Sequence, residues 1–364
     1  MIVAYIKISD FCNIGCSHCY LPQGVRNNKT VMSVAVLSNT IVDLKRLCAA
    51  RGAKKLNVIW HGGEPLLLEP SLVVDYMEII KGAFATSDTE VSFSIQTSLI
   101  PLNNIWIDVI KNYFNSSVST SVDFSSRTIN GSPEKYMSVL DKRLETCKKN
   151  EIDVAANVVV SKSELGMASR LIQWFVDRDI MTVEFSRFNA YSGVYREQPT
   201  NREHSIFLSD VIDAMVDRVK RGLDCPQIPS IDNAVLVALK GESSGVWGGR
   251  CLTGNYVVNP DGKTHNCPDR ISFDSSLSEK SAFSESLAAA KIAVEYSERS
   301  QSAMCSECEY RSACRGGCPI EKNNILENGD CSGFKTLLNY IKRLYENDDV
   351  ARMCMDMVIN RGRG

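Results

Sequence analysis

Cys12, Cys16 and Cys19 lie within "FCNIGCSHCYLP", a C-x3-C-x2-C spacing close to the start of the chain. Thiolates are soft ligands for zinc or iron, and both a tetrahedral zinc site and a fully ligated iron–sulfur cluster take four of them. Three cysteines leave one place open. A second group, Cys251 and Cys267, flanks the "NPDG" turn that contains Gly262. A third, "CSECEYRSACRGGCP", has the spacing C-x2-C-x5-C-x3-C-P from Cys305 through Cys308 and Cys314 to Cys318, with Cys331 beyond it. A bacterial ferredoxin run has the same order with a narrower middle gap, and its fourth cysteine reaches a different cluster. By that analogy Cys305, Cys308 and Cys314 share one cluster, which Cys331 completes. Cys318 joins Cys251 and Cys267 at another. A zinc ribbon wants paired C-x2-C knuckles, and this stretch has one such pair.

The remaining cysteines read differently. Cys48, Cys147 and Cys354 fall at helical spacing with apolar residues and are expected in the core. Cys225 sits in the turn-like "DCPQIP", off any periodic pattern, and is a candidate fourth ligand for the Cys251, Cys267 and Cys318 group. Folding that linker back costs modest entropy; an open iron or a non-cysteine ligand is the alternative.

These residues need a frame. Strand patterns occur at 2–8, 54–60, 90–97, 117–124, 152–160 and 181–188. Helical patterns alternate with them at 32–52, 72–84, 104–114, 133–150 and 164–179, the first with Ser33 as N-cap and Gly52 as C-cap. Regular alternation implies parallel strands and right-handed crossovers. Six such units match an incomplete eight-stranded barrel, whose chemistry sits at the C-terminal ends of the strands. The cysteine triplet follows the first strand. "HGGEP", His61 to Pro65, follows the second; its glycines permit close backbone approach to a ligand, and Glu64 can accept from a bound amine. The expected fold is α/β: a partial (β/α)6 barrel over 1–222, a linker over 223–250 containing a short helix, a metal-held domain over 251–334 and a helix over 335–364.

Composition excludes several classes. The chain of 364 residues has a formal net charge of −2, which argues against a nucleic-acid or anionic-membrane partner. Its first strand is too short and lacks the basic flank of a signal peptide, and no apolar run approaches the length of a membrane span. A cytoplasmic protein is expected. Clustered cysteines among the 14 of such a chain point to metal rather than disulfides.

Taken with "HGGEP", the triplet resembles the radical S-adenosylmethionine (SAM) enzymes. The resemblance implies that Cys12, Cys16 and Cys19 hold three irons of a [4Fe–4S] cluster and that SAM takes the fourth place through its methionyl amine and carboxylate. Electron transfer then breaks a C–S bond and gives a 5′-deoxyadenosyl radical, which removes a hydrogen atom from substrate. It also implies that Gly62, Gly63 and Glu64 hold the methionine amine. His18 stands where relatives have an aromatic residue beside the adenine. Gln96, Thr97 and Ser98 match the end of strand three, and Ser121 and Asp123 match a Ser-x-Asp end of strand four near the ribose. The later cysteines, in order with Gly262, resemble the SPASM extension of peptide-modifying relatives, implying two auxiliary [4Fe–4S] clusters and three in all.

Within that group, "CSHCYLPQGVRNNKTVMS" and "WHGGEPLL" are most similar to the maturases of ribosomally made peptides that form three-residue cyclophanes. The implied reaction joins an aromatic ring carbon to a β-carbon in a precursor peptide. Asp269, two residues beyond Cys267, is the nearest carboxylate to act as the rearomatising base. An external donor such as flavodoxin or ferredoxin supplies electrons. With eleven residues before Cys12, the barrel or cluster domain is expected to hold the leader peptide. Thioether-forming and formylglycine-forming maturases are the alternatives, and a non-catalytic iron–sulfur or zinc scaffold is the alternative of another class.

Overall fold

The computed structural model describes residues 1–19, 21, 23–188, 196–249, 251–269, 294–295, 297–298, 300–319 and 330–361. The fold is α/β with a mostly parallel sheet, and contacts divide it into two compact units. The first comprises Met1–Ala155 and the described part of Cys251–Ala290; the second comprises the described parts of Ala156–Arg250 and Lys291–Gly364.

In the first unit, β1 (Ile2–Ser9) is followed by β2 (Gly15–Cys16), α1 (Gln23–Arg26), α2 (Val34–Ala50), β3 (Lys55–Gly62), α3 (Pro70–Phe84), β4 (Glu90–Thr97), α4 (Asn104–Tyr113), β5 (Ser117–Ser121), β6 (Arg127–Thr128) and α5 (Pro133–Lys149). The strands expected from periodicity are all present, displaced by a few residues at their ends. Parallel pairing runs β1 to β3, β3 to β4 and β4 to β5. Local caps set the helix starts: Val36 N donates to Ser33 Oγ, Trp106 N to Asn103 Oδ1 and Lys135 N to Ser132 Oγ. Gly52 follows α2 with a φ of 56°, the left-handed conformation in which glycine carries no penalty.

The Cys251 segment joins this unit by strand pairing. After α9 (Cys251–Gly254), β9 (Asn255–Val258) lies parallel to β1 on the side away from β3, and β10 (Thr264–His265) pairs antiparallel to β9. Compactness therefore groups Cys251 and Cys267 with the barrel strands, where composition had placed them with the later cysteines. Tyr256 of β9 donates to Asp43 of α2 at 3.4 Å, so the face of β1 that carries Ala4, its register partner, is the α2 side. Alternation then sends Tyr5 and Lys7 to the opposite face.

β7 (Asp153–Val160) crosses the division between the units. The second unit continues with α6 (Ala168–Asp177), β8 (Thr182–Arg187), α7 (Asn201–Lys220) and α8 (Pro229–Val235). A π-helical turn at Leu236–Lys240 extends α8 inside the expected linker. Phe185 packs edge-on against Phe175 and Phe207, with centroids 6.3 and 5.3 Å away, joining β8 to α6 and α7. Two short helices, α10 (Ala303–Ser306) and α11 (Arg311–Cys314), carry cysteines. The tail, expected as one helix, is two: α12 (Lys335–Asn347) and α13 (Asp349–Arg361). Asp348 breaks it by accepting from Val350 N and Ala351 N at 3.0 Å each, an N-cap in the middle of the helical pattern. Cys48 and Cys147 are buried as expected, whereas Cys354 is only half-buried on α13. Among the described residues, no helix is long and apolar enough to cross a membrane.

Candidate active site and cysteine sites

The loop from β1 carries Cys12, Cys16 and Cys19 and is held at three places. Cys12 N donates to Arg26 O at 3.1 Å. Gly15 and Cys16 pair with Thr128 and Arg127 of β6, and Ser17 N donates to Ser126 O at 2.9 Å. Gly15 is required there, because a Cβ would lie 2.6 Å from Thr128 Oγ1. Burial raises the Cys12 thiol and pushes the Cys16 thiol up to about 12, against the pull of Arg127; Cys19 adds to both, and Cys12 adds to Cys16. A thiol so placed is a poor free nucleophile. It becomes a good ligand when iron supplies the positive charge that the thiolate needs.

His18 is anchored beside this loop. Its Nδ1 is 3.0 Å from Ser126 Oγ and its Nε2 is 3.5 Å from Asp123 Oδ2. Asp123 is buried and also accepts from Arg127 Nε at 3.0 Å. Burial lowers the His18 pKa although Asp123 opposes it, so the ring is neutral at pH 7. Ser126 and Arg127 were not foreseen; they follow the strand in a stretch without periodicity, and only Arg127's i+4 spacing from Asp123 hinted at the pair.

The glycines of "HGGEP" serve first to bring two loops together. Gly63 N donates to Ser9 O and Glu64 N to Phe11 O, both at 2.9 Å. Gly62 has a φ of 133°, and a Cβ on Gly62 or Gly63 would collide with the backbone of Ser9 or of Asp10 and Phe11. Glu64 is buried and its carboxylate is used by its own chain. Oε1 accepts from Leu66 N at 3.0 Å and Thr97 Oγ1 at 2.6 Å; Oε2 accepts from Ser98 N at 2.7 Å and from Ser98 Oγ. These four bonds match a carboxylate's acceptor capacity. The side chain expected to meet a ligand amine instead ties the ends of β3 and β4 together. Gln96 Nε2 donates to Ser121 Oγ at 3.1 Å, a second tie between strand ends. His18, Gly62, Gly63, Glu64, Gln96, Ser98, Ser121 and Asp123 are thus joined by short links around the triplet.

At the other edge of the same unit, Cys251 opens α9 and Cys267 follows β10, its N donating to His265 Nδ1 at 2.7 Å. Cys251, Cys267 and Asp269 all act on Tyr5, whose hydroxyl pKa rises to about 12, chiefly through burial. Lys7 is fully buried on the same face of β1, and its Nζ donates to Pro268 O at 2.8 Å. Asp269 itself is half-buried. A lone lysine in an apolar strand was the available signal for Lys7.

In the second unit, Cys305, Cys308, Cys314 and Cys331 share one neighbourhood. Burial, with Cys331 and Cys305 adding to it, pushes the Cys314 thiol up to about 12; burial also raises Cys331, with Cys308 adding to it. Gly333 keeps this place open: a Cβ there would overlap Cys314 Sγ and lie 3.6 Å from Cys331 Sγ. Asp330 Oδ1 fixes the last cysteine by accepting from Cys331 N at 2.8 Å. Four thiols in one neighbourhood are the donor set that a [4Fe–4S] cluster takes. Cys318 is half-buried in this unit. Cys225, also here, has Arg218 and Cys354 acting on its thiol, which burial pushes up to about 11. Among the described residues, no three His, Cys, Asp or Glu side chains gather tightly enough for a single metal ion. Tyr20 and Pro22 lie outside the described residues.

Residues 6–164 match the family model of the Radical SAM superfamily. The chain is 24% identical over 340 residues to a serine-type anaerobic sulfatase-maturating enzyme of Klebsiella aerogenes, covering 90% of this chain and 82% of that protein. A solved structure of native anSMEcpe with bound AdoMet and a Cp18Cys peptide matches with a TM-score of 0.74 at 18% identity, covering 99% of each chain. Streptococcus suis SuiB bound to its precursor peptide SuiA matches with a TM-score of 0.61 at 13% identity, over 90% of this chain and 73% of that one. The cysteine loop, the strand-end links and the matched family model lead to one conclusion: residues 6–164 carry a radical SAM domain, and the protein is an enzyme that modifies a substrate.

Proposed function

We propose that this enzyme is a peptide maturase that joins an aromatic ring carbon to a β-carbon within a ribosomal precursor peptide, with loss of two hydrogens per crosslink. The observation that carries this reading is the contact between the cysteine loop and Gly62–Glu64, the segments whose sequence resembles the cyclophane-forming group. Cys12, Cys16 and Cys19 would hold a [4Fe–4S] cluster, and His18, the Gly62–Gly63 backbone, Gln96, Ser98, Ser121 and Asp123 would bind SAM beside it. When bound, cluster and cofactor supply a radical that removes a hydrogen atom from substrate. Glu64 keeps the loops in register. Cys305, Cys308, Cys314 and Cys331 would hold one auxiliary [4Fe–4S] cluster; by their order in the sequence, which resembles the SPASM extension, Cys251, Cys267 and Cys318 are the candidate ligands of the other. Asp269 is the base that takes the ring proton, and an auxiliary cluster would accept the electron that leaves the ring with it. Cys225, with Arg218 and Cys354 near enough to act on its thiol, is structural. A flavodoxin or ferredoxin supplies electrons in the cytoplasm.

A second reading, formylglycine formation on a serine or cysteine, is favoured by the similarity to a sulfatase-maturating enzyme across 90% of the chain. One experiment separates them. The enzyme is incubated with SAM, dithionite and precursor peptides encoded beside its gene, and the products are sequenced by tandem mass spectrometry. A crosslinked product loses two hydrogens and gives no fragments inside the ring. A formylglycine product fragments normally and reacts with a hydrazide. A Cys12→Ala, Cys16→Ala, Cys19→Ala variant yields no 5′-deoxyadenosine; undiminished yield refutes both readings.

A further inference from the structure

Lys7 stands apart from the links described around the cysteine triplet. Lysine is almost never fully buried unless paired, because removing an ammonium from water costs several kcal/mol. Methionine would fill the same volume without that cost. Lys7 nevertheless lies inside the sheet with 0% exposure. Its Nζ donates to the carbonyl of Pro268, which lies between Cys267 and Asp269. Asp10, Asp269, Cys19 and Cys267 are all close enough to act on its charge. The ammonium therefore stands among groups from two segments that the chain separates widely: the loop of the cysteine triplet and the turn after β10.

The β9 pairing explains why a latch is needed at that place. Val3 to Ile6 of β1 pair with Asn255 to Val258, which secures the Cys251 end of the segment. β10 ends at His265, and the Cys267–Asp269 turn then runs beyond β-ladder support. A backbone carbonyl held by a charged donor is a strong, directional restraint. An ammonium beside a cysteine also favours the more negative state of whatever metal group that cysteine binds.

We propose that Lys7 is a positioning residue that latches the turn bearing Cys267 and Asp269 to β1 and raises the reduction potential of the cluster held at Cys267. This rests on the reading of Cys267 as an auxiliary-cluster ligand. Lys7 touches no reacting atom; it acts through the turn it holds and through its charge.

The test uses the full chain, reconstituted anaerobically with iron and sulfide, in four forms: wild type, K7R, K7Q and K7M. Each is titrated with dithionite and followed by electron paramagnetic resonance, with iron content measured alongside. K7R keeps the charge and is expected to titrate as wild type does. K7Q keeps a donor for Pro268 O and loses the charge, so one auxiliary signal moves to more negative potential at unchanged iron content. K7M loses both and, besides that shift, gives up the iron of that cluster to a chelator faster than K7Q does. If K7M does not fold, K7Q alone decides. Auxiliary signals present in wild type and unmoved in K7Q overturn the role of Lys7. Absence of any auxiliary signal in wild type instead overturns the reading of Cys267 on which that role rests.

Discussion

At the scale of single residues, two positions do the most to keep the cysteine sites open and in register. Glu64 accepts four hydrogen bonds from three residues in two strand-end segments. Glu64→Gln turns one acceptor oxygen into a donor that faces other donors. A buried donor left unpaired costs about 1–3 kcal/mol, so the variant is expected to unfold at correspondingly lower urea concentration. A urea midpoint equal to wild type would show that the loop does not depend on these bonds. Gly333 acts by what it lacks. A methyl group there would overlap Cys314 Sγ and approach Cys331 Sγ. Gly333→Ala should then lower reconstituted iron by about four per chain, one [4Fe–4S] cluster, while the triplet still cleaves SAM. Full iron content in this variant would place the four-cysteine cluster elsewhere.

At the scale of elements, the pairing of β9 with β1 decides where Cys251 and Cys267 go. Val257 pairs with Tyr5 on one side and His265 on the other. Proline at that position removes a ladder donor inside the sheet and is poorly tolerated there. Val257→Pro is expected to free the hairpin, giving about eight iron per chain instead of about twelve. SAM cleavage in the absence of peptide should persist, because the triplet loop is held by β6 and by Gly62–Glu64 instead. Loss of all iron on this substitution would mean that the barrel and the hairpin form one cooperative element.

At the scale of the whole molecule, buried histidines tie stability to pH. His204 is buried against Phe334 and Phe207, with Arg187 nearby. Burial, with Arg187 adding to it, lowers its pKa from 6.5 to about 3. The unfolded chain takes up a proton below about pH 6.5 that the folded chain refuses, so this contribution is present above pH 6.5 and is lost as pH falls toward 3. Between pH 7 and pH 5 the loss from this group is about 2 kcal/mol. His61, lowered to about 3 by burial and Lys7, adds in the same direction. Urea unfolding at the two pH values should show a smaller drop for His204→Leu than for wild type. Equal drops would show that His204 is not what couples folding to protons in that window.

The sequence by itself determined the six strands, the helices between them and the place of the cysteine triplet after the first strand. Those features are written in near neighbours: alternating or helical periodicity, Ser33 and Gly52 at the ends of the first helix, and the spacing of Cys12, Cys16 and Cys19. It also marked Gly62, Gly63 and Glu64 as special without disclosing their partners. The tertiary structure decided those partners, because they come from segments brought side by side only by the register of the parallel strands. Glu64 meets Thr97 and Ser98 across β3 and β4; Arg127 meets Asp123 while its strand holds Cys16; Lys7 meets Pro268 across 261 residues. Likewise it split the tail helix at Asp348 and gave Cys251 and Cys267 to the first unit. Periodicity reports which face of an element avoids water. A hydrogen bond between distant loops depends on how two faces are aligned, and that is settled only when the sheet forms.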